Sequence, residues 1–511
     1  MSLFSLLFLQ INSQDWPKVY GGYFHCYVNR VIEDYDFGYL LGGDICANYT
    51  TFKYAWIIKT DINGNELWNK KYGNGAYQNY LGSCTKTADQ GLVACGNTTL
   101  SDPQFDPFFF KLNVCGEVEW CTILLSNGNN DASGIIAIED GYIGMLRYYR
   151  SDSLYARICL IKLNTAGEPL WISYLAQEDT LINNEEGGDL YLTEDKNFLV
   201  SGECFHPGLK PFWIKTNTSG NQIWDLIWEG GIGAAYQVCE NNDGYFYSAG
   251  GFKGTGYPMT PSIFKFDNSG IPVYQKYLLG DTLVGGGADP ISLFTDSTLL
   301  TGINWSVSLN VDDGYSDILK IDTLGNILNR RTLLHENRCP TEIIKTHDNK
   351  IVVTGFYTLD YYFDICLWKM NTNLEDDTLY TQPMTYDSLC PYEIQSDTMD
   401  LDCELFVNID ELPTREEYES TVKIYPNPAE DWVALTLPDI VAAGKVEIAV
   451  YDVFGREVET GRRGDEEMGG QGEVPVNRML VLDVSGYPPG MYVVVVTDQK
   501  GRRYTGKVVV A

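Results

Sequence analysis

The residues that could perform chemistry do not show the spacing of a known catalytic or metal-binding motif. The sequence contains no HExxH, GxSxG, GxxxxGK[ST] or strand-bounded GxGxxG motif. Acidic residues are numerous, so a carboxylate pair of the glycosidase kind stays open, but the sequence singles none out. We therefore predict no catalytic residue, no metal site and no cofactor. The four histidines lie in different repeats without ligand spacing: His25, His206, His335 and His347.

Calcium has no better support than the other cofactors. The net charge of -33 attracts cations in general and disfavours binding to nucleic acid. Short turns such as DINGN at Asp61 resemble parts of calcium loops. An EF-hand loop, however, needs about twelve residues and a closing Glu, so we interpret these segments as hairpin turns.

Aromatic residues gather in segments of variable length between otherwise regular strands. Variable loops on a rigid scaffold often carry binding sites, and aromatic rings suit sugars or protein hot spots. The alternative is that these rings pack against neighbouring strands. The candidate ligand-binding residues are Tyr148, Tyr149, Trp305, Tyr361 and Tyr362.

The strands that carry these loops belong to a repeat of about 50 residues. The phrase WIIKTDINGNELW at Trp56 returns as LIKLNTAGEPLW at Leu160, and a degenerate last copy begins at Leu367. Each copy predicts a hairpin, and a second hairpin precedes it, which gives four strands per repeat. We therefore predict an all-β fold with a β-propeller of about seven blades over residues 15–381.

The N-terminal strand offers a way to close the predicted ring. WPKVYGG at Trp16 is similar to LWNKKYG at Leu67, the outermost strand of a blade. Trp16 could therefore complete the last blade, or the last blade could supply its own outer strand. The preceding apolar stretch, residues 1–14, indicates the remnant of a signal peptide.

Thirteen cysteines are compatible with an oxidising compartment. Cys84 and Cys95, and likewise Cys26 and Cys46, flank predicted hairpin turns and could face each other. We interpret residues 382–420 as an acidic linker. Cys390 and Cys403 lie within it and could form a local disulfide.

A compact domain of about seven short strands begins near residue 421 and suggests an Ig-like sandwich. Its motifs are YPNPA at Tyr425, VYDVFGREV at Val450, LDVSGYPPGMYVVVV at Leu482 and GKVVVA at Gly506. In this order they resemble the type A C-terminal sorting domain of the type IX secretion system. The residues that carry the resemblance are Tyr425, Pro426, Asn427, Pro428, Gly455, Gly490, Tyr492 and Lys507.

The resemblance implies a secreted or cell-surface protein of Bacteroidetes type, exported through the periplasm and recognised by the secretion machinery through residues 421–511. The propeller repeat also resembles modules that precede this domain. We therefore expect a non-catalytic binding protein for a glycan or protein ligand, without nucleic acid or a membrane span. A secreted carbohydrate-active enzyme with carboxylates at the propeller channel, and a structural protein of the envelope, stay open as alternatives.

Overall fold

The computed structural model of the chain is all-β and divides into two compact units, Met1–Leu412 and Pro413–Ala511. The candidate signal peptide, residues 1–14, lies almost wholly outside the described residues. The structure describes residues 14–22, 25–48, 51–73, 75, 77–100, 104–126, 128–149, 155–175, 183–205, 208–253, 259–278, 285–306, 315–333, 337–359, 362–407, 412–415, 418, 421–437, 446–461, 479–497 and 503–511.

The described residues of the first unit form seven sheets, which we number 1 to 7, and each has a core of four antiparallel strands. Sheet 1 comprises β2 (His25–Glu33), β3 (Tyr39–Asn48), β4 (Thr51–Thr60) and β5 (Glu66–Tyr72). Sheet 2 comprises β6 (Asn79–Lys86), β7 (Leu92–Thr98), β8 (Asp106–Leu112) and β9 (Val118–Leu125). Sheets 3 and 4 comprise β10 (Asp131–Ile138), β11 (Gly141–Tyr149), β12 (Ala156–Leu163), β13 (Pro169–Tyr174), then β14 (Asn183–Leu192), β15 (Phe198–Phe205), β16 (Leu209–Thr216) and β17 (Gln222–Ile227).

The remaining sheets of this unit follow the same plan. Sheets 5 and 6 comprise β18 (Ile232–Glu240), β19 (Tyr245–Lys253), β20 (Thr260–Asp267), β21 (Pro272–Tyr277), then β22 (Gly285–Thr295), β23 (Thr298–Ser306), β24 (Tyr315–Asp322) and β25 (Ile327–Leu333). Sheet 7 comprises β26 (Asn337–Lys345), β27 (Ile351–Leu359), β28 (Tyr362–Met370) and, as its outer strand, the N-terminal β1 (Lys18–Tyr20).

Sheet 7 therefore takes its outer strand from the other end of the chain. Val19 lies opposite Cys366 in the antiparallel pair of β1 and β28. Of the two arrangements that the sequence left open, the structure shows the one in which the N-terminal strand completes the last sheet. The last repeat lacks the turn glycine of the others and has Leu374 there, with a φ of 63°.

The sheets pack face to face in chain order, and sheet 7 also contacts sheet 1, where β2 meets β26, β27 and β28. One contact recurs at these interfaces: a tryptophan in or just before the outer strand of one sheet packs on the turn glycine of the next, so that a Cβ on that glycine would overlap the ring. The pairs are Trp16–Gly64, Trp68–Gly116, Trp120–Gly167, Trp171–Gly220 and Trp224–Gly270.

Hydrogen bonds support the same interfaces. The hydroxyl group of Tyr20 donates to the carbonyl of Gly64 over 2.7 Å, and that of Tyr72 donates to Gly116 over 2.9 Å. Where the tryptophan is missing, Tyr274 donates to the carbonyl of Thr323 over 2.9 Å. The recurring phrase also contains a lysine, which in the first copy pairs locally: Lys59 is fully buried, with Nζ 2.6 Å from Asp34.

The segment predicted as an acidic linker, residues 382–420, is for most of its length part of the first unit. A short 3-10 helix, Tyr386–Leu389, is followed by β29 (Asp397–Met399) and β30 (Glu404–Val407). β29 adds in parallel to the outer strand of sheet 1, and β30 to that of sheet 2. We call residues 382–412 the strap. Its strands cover two open sheet edges, which otherwise expose unpaired backbone groups.

Disulfides fix the strap to sheet 2 and differ from the predicted pairing. Cys115 bonds to Cys390 and Cys121 to Cys403, so the expected bridge between Cys390 and Cys403 is wrong. The strap runs extended along the sheets, and each of its cysteines meets a different part of sheet 2. The hairpin pairings are also wrong: strand register places Cys95 opposite Ser83, and Cys46 opposite His25.

The second unit has its own core, and its described residues form two sheets. The smaller sheet has the order β31 (Lys423–Tyr425), β32 (Trp432–Thr436) and β35 (Met479–Asp483). The larger has the order β34 (Glu457–Gly461), β33 (Glu447–Asp452), β36 (Gly490–Thr497) and β37 (Arg503–Val510). Val433 and Leu435 of the smaller sheet and Val494 and Val508 of the larger are fully buried in one cluster.

We predict that the strap depends on its disulfides. A variant with the four cysteines of the two bridges (Cys115, Cys121, Cys390 and Cys403) changed to alanine should lose roughly 2–4 kcal/mol of unfolding free energy for each bridge removed, because both cross-links constrain the unfolded chain. Limited proteolysis should then cut within residues 382–412. Reducing agent should cause the same cleavage in the parent chain and in the control variant Cys204→Ala, which keeps both bridges. It should cause no further cleavage in the four-cysteine variant. An insensitive parent strap would contradict this prediction.

Candidate functional site

The C-terminal unit places the motif residues at the junction of its two sheets. The YPNPA segment leaves β31 and runs beside β37, with the backbone amide of Ala429 donating to Val509 over 2.8 Å. The side chain of Asn427 holds this junction twice. Its amide group donates to the carbonyl of Lys507 over 3.0 Å, and its oxygen accepts from the amide of Val509 over 2.8 Å. Asn427 thus supplies the hydrogen bonds that a neighbouring strand would supply.

The other motif residues shape turns or fill the core. Gly455 has a φ of 74° in the tight turn between β33 and β34. Gly490 opens β36, and the buried Tyr492 donates its hydroxyl to the carbonyl of Pro488 over 2.6 Å. Lys507 is exposed on β37, and Tyr425, before Pro426 and Pro428, is 76% exposed.

The candidate aromatic residues of the first unit divide into buried and half-buried groups. Tyr148 is 1% exposed and packs 6.1 Å from Tyr174, so it belongs to the core and not to an open face. Trp305 is 6% exposed, and its indole NH donates to Asp317 over 2.7 Å. For these two residues the alternative reading, packing against neighbouring strands, describes the structure, because the pleat turns their rings inward.

The remaining candidates are Tyr149, Tyr361 and Tyr362. Tyr149 ends β11 and is half-buried, with the guanidinium of Arg147 5.5 Å from its ring. Tyr361 lies outside the described residues, and Tyr362 begins β28, with its side chain outside them as well. Of the candidates that the structure describes, Tyr148 and Tyr149 belong to sheet 3 and Trp305 to sheet 6.

A different aromatic group lies at the loop ends of sheets 1 and 7. By loop end we mean the end that carries the connection from the second to the third strand. Tyr27 of β2 contacts Phe356 at a ring distance of 5.1 Å and Phe363 at 5.7 Å, and His25 lies 5.4 Å from Phe363. All four rings are half-buried. The alternation of apolar and polar residues along the sequence could not reveal this group, because its members come from opposite ends of the first unit.

Polar residues of the first strands meet in a buried cluster, which sequence reasoning missed. The Arg30 guanidinium lies 2.6 Å from Asp189 and 2.8 Å from Glu342, although these residues belong to sheets 1, 4 and 7. Gln237 of sheet 5 donates to Glu342 over 3.1 Å. With Asp289 of sheet 6, these residues form what we call the Arg30 cluster.

Burial changes the acidity of this cluster. The pKa of Asp289 is raised to about 7, chiefly by burial and also by the charges of Glu342 and Asp189, while Arg30 acts in the opposite direction. Burial likewise raises the pKa of Glu342, against the opposing effect of Arg30. Nearer the loop ends, burial raises the pKa of Asp131 to about 6 beside Arg147 and Glu186. Carboxyl groups with such values can exchange protons near neutral pH.

Other chemistry finds little support in the part of the chain that is described. Among those residues, no three or more His, Cys, Asp or Glu side chains are placed to hold a metal ion. No helix within them is long and apolar enough to cross a bilayer.

Comparison with known families identifies the C-terminal unit. Residues 423–511 match the family described as "Secretion system C-terminal sorting domain". The motif residues from Tyr425 to Lys507 lie within this range, and the match confirms the resemblance of the C-terminal motifs. A sorting domain of the type IX secretion system is present in this chain, and it indicates export to the cell surface or the extracellular space.

Comparisons over the whole chain are weaker. A search of curated proteins gave no match. A protein of unknown function from Dyadobacter fermentans DSM 18053 is 11% identical over 59% of this chain and 96% of its own, with a TM-score of 0.41. A eukaryotic initiation factor is 11% identical over 70% and 88%, with a TM-score of 0.33. Bacillus subtilis levansucrase is 9% identical over 49% and 88%, with a TM-score of 0.28.

We predict that Asp289 makes stability depend on pH. In unfolded chains the pKa of Asp is about 3.9, so the folded chain binds more protons between about pH 4 and pH 7. The contribution of Asp289 to the unfolding free energy is then complete below pH 4 and falls as the pH rises to 7. Relative to the parent, Asp289→Asn should gain on the order of 3 kcal/mol between pH 4 and pH 8.

Urea unfolding at both pH values measures this gain. Asp225→Asn, at an exposed position of β17, is the matched control and should show no such gain. An equal difference between Asp289→Asn and parent at the two pH values would contradict the prediction.

Proposed function

We propose that this chain is a binding protein of the cell surface or extracellular space, with a seven-bladed β-propeller that is exported by the type IX secretion system. The sorting domain at residues 423–511 is the observation that carries the proposal. The chain offers the machinery a compact C-terminal unit with its own core, Pro413–Ala511. The disulfides of the first unit suit an oxidising destination.

A closed ring is the arrangement that best fits the contacts of the seven sheets. Each sheet packs on the next, and sheet 7 packs on sheet 1, as blades around an axis would. Arg30 bonds to residues of sheets 4 and 7. First strands from sheets that are distant in the chain could meet in this way if all of them line one central axis.

The loop ends support binding as the role of the first unit. The aromatic group of His25, Tyr27, Phe356 and Phe363 combines half-buried rings with polar edges, which suits a flat ligand such as a sugar ring. The sheets hold these rings in place, so little conformational entropy is lost when a ligand binds. We propose this group, with the adjoining residues Tyr361 and Tyr362, as the ligand site.

A carbohydrate-active enzyme is the second candidate, and the raised pKa values of Asp289 and Asp131 favour it. Against it, Arg30 already binds two carboxylates of its cluster, Asp189 and Glu342. Burial is the main cause of both raised pKa values, and buried carboxyl groups of purely structural networks show the same shift without catalysis. We therefore place the enzyme second.

Deletion of residues 413–511 tests export. In a bacterium with a type IX secretion system, the full chain should reach the surface or the medium, and the shortened chain should accumulate in the periplasm. Cell fractionation with an antibody to the first unit measures this. A periplasmic protein of the host provides the control for leakage. Secretion of the shortened chain at the level of the full chain would contradict the proposal.

A glycan array tests the role of the first unit. Phe363→Ala and Tyr27→Ala in the full chain should weaken binding by about tenfold or more, because removal of an interface aromatic commonly costs about 2 kcal/mol. Leu328→Ala, at an exposed position of an outer strand, should bind as the parent does. Binding that is unchanged in all three would remove this site. Hydrolysis of the glycan that is lost in Asp289→Asn would establish the enzyme instead.

A further inference from the structure

The larger sheet of the sorting domain has an outward surface that is apolar where a solvated surface should be polar. Its strand β36 reads GMYVVVVT. Tyr492, Val494 and Val496 point into the core and are at most 5% exposed. Met491, Val493 and Val495 alternate with them and therefore point outward. An antiparallel sheet with one solvated side normally alternates apolar and polar residues.

The neighbouring strands extend this apolar surface. Val493 lies opposite Tyr451 of β33, and Val495 lies opposite Ala449. On the other side, Met491 lies opposite Val509 of β37. Met491 is 48% exposed and Val509 38%. We call these six outward residues, Ala449, Tyr451, Met491, Val493, Val495 and Val509, the aliphatic face.

Apart from Val509, the outward side of the edge strand β37 is polar and borders the aliphatic face. β37 alternates as expected, with buried Tyr504 and Val508 and with exposed Arg503, Thr505 and Lys507. Lys507 lies opposite Val493 and borders the face with a positive charge. Apolar patches with polar rims mark interaction sites.

We propose that the aliphatic face is the surface by which the sorting domain docks on the secretion machinery, and that the partner presents an apolar surface with an acidic group near Lys507. This rests on the proposed function, which supplies the partner. Five of its six residues lie on the two central strands, β33 and β36, so the fold holds most of the face rigid. Rigid apolar centres with charged rims are the usual anatomy of a docking surface.

The test replaces the outward residues and leaves the core intact. The triple variant Met491→Thr, Val493→Thr and Val495→Thr keeps a residue type that suits strands. It should reduce the secreted fraction of the full chain by about tenfold, as expected for the loss of an apolar docking centre. The matched control is Trp432→Thr with Val481→Thr, two exposed positions on the smaller sheet, and it should be secreted as the parent is.

Folding is checked by protease resistance of the retained chain. Where the triple variant loses resistance, Met491→Lys alone replaces it, because this side chain is the most exposed of the three. A second control, Val493→Ile with Val495→Ile, keeps the aliphatic face apolar and should be secreted as the parent is.

Each other outcome overturns the proposal. Normal secretion of a resistant triple variant would do so, and so would an equal loss in the control on the smaller sheet. A triple variant that is secreted normally but changes from a dimer to a monomer in size-exclusion chromatography would assign the face to a second copy of this chain. Secretion that persists after deletion of residues 413–511 would instead refute the proposed function itself.

Discussion

A sheet of four strands cannot bury both of its faces alone, and in this chain the contact between successive sheets meets that need. The indole ring of Trp68 lies on Gly116, and that of Trp171 lies on Gly220, where a Cβ would come within 2.8 Å of the ring. Because the glycine is also the residue that turns the hairpin, one position serves both the turn and the interface. Trp16 repeats the contact on Gly64, and it lies just before β1, the outer strand of sheet 7.

The strap and the Arg30 cluster follow from this arrangement. The outer strands of sheets 1 and 2 would otherwise leave open edges; the strap covers both with parallel strands, and two disulfides fix it to sheet 2. The first strands of sheets 1, 4 and 7 meet at the Arg30 cluster, where Arg30 pairs with both Asp189 and Glu342. Removal of one member of such a buried pair is commonly costly, since the other charge stays uncompensated.

The sequence predicts the repeated hairpins, the all-β class and the sorting domain well, because these depend on local turns and alternation. It predicts long-range partners poorly. Cys390 and Cys403 bond to residues more than 270 positions away, and connectivity of this kind is not encoded in spacing. Tyr148 and Tyr149 are neighbours, yet only the first is fully buried, because strand register decides which side each one faces. Asp289 carries no motif, and its pKa depends on residues from three other sheets.

The account is tested most directly by an experimental structure of the full chain at side-chain resolution. It predicts seven sheets around one axis, with the indole of Trp16 against Gly64 and the guanidinium of Arg30 within hydrogen-bond distance of Asp189 and Glu342. Sheets that form an open stack, with β1 detached from β28 and Arg30 far from Asp189, would contradict it.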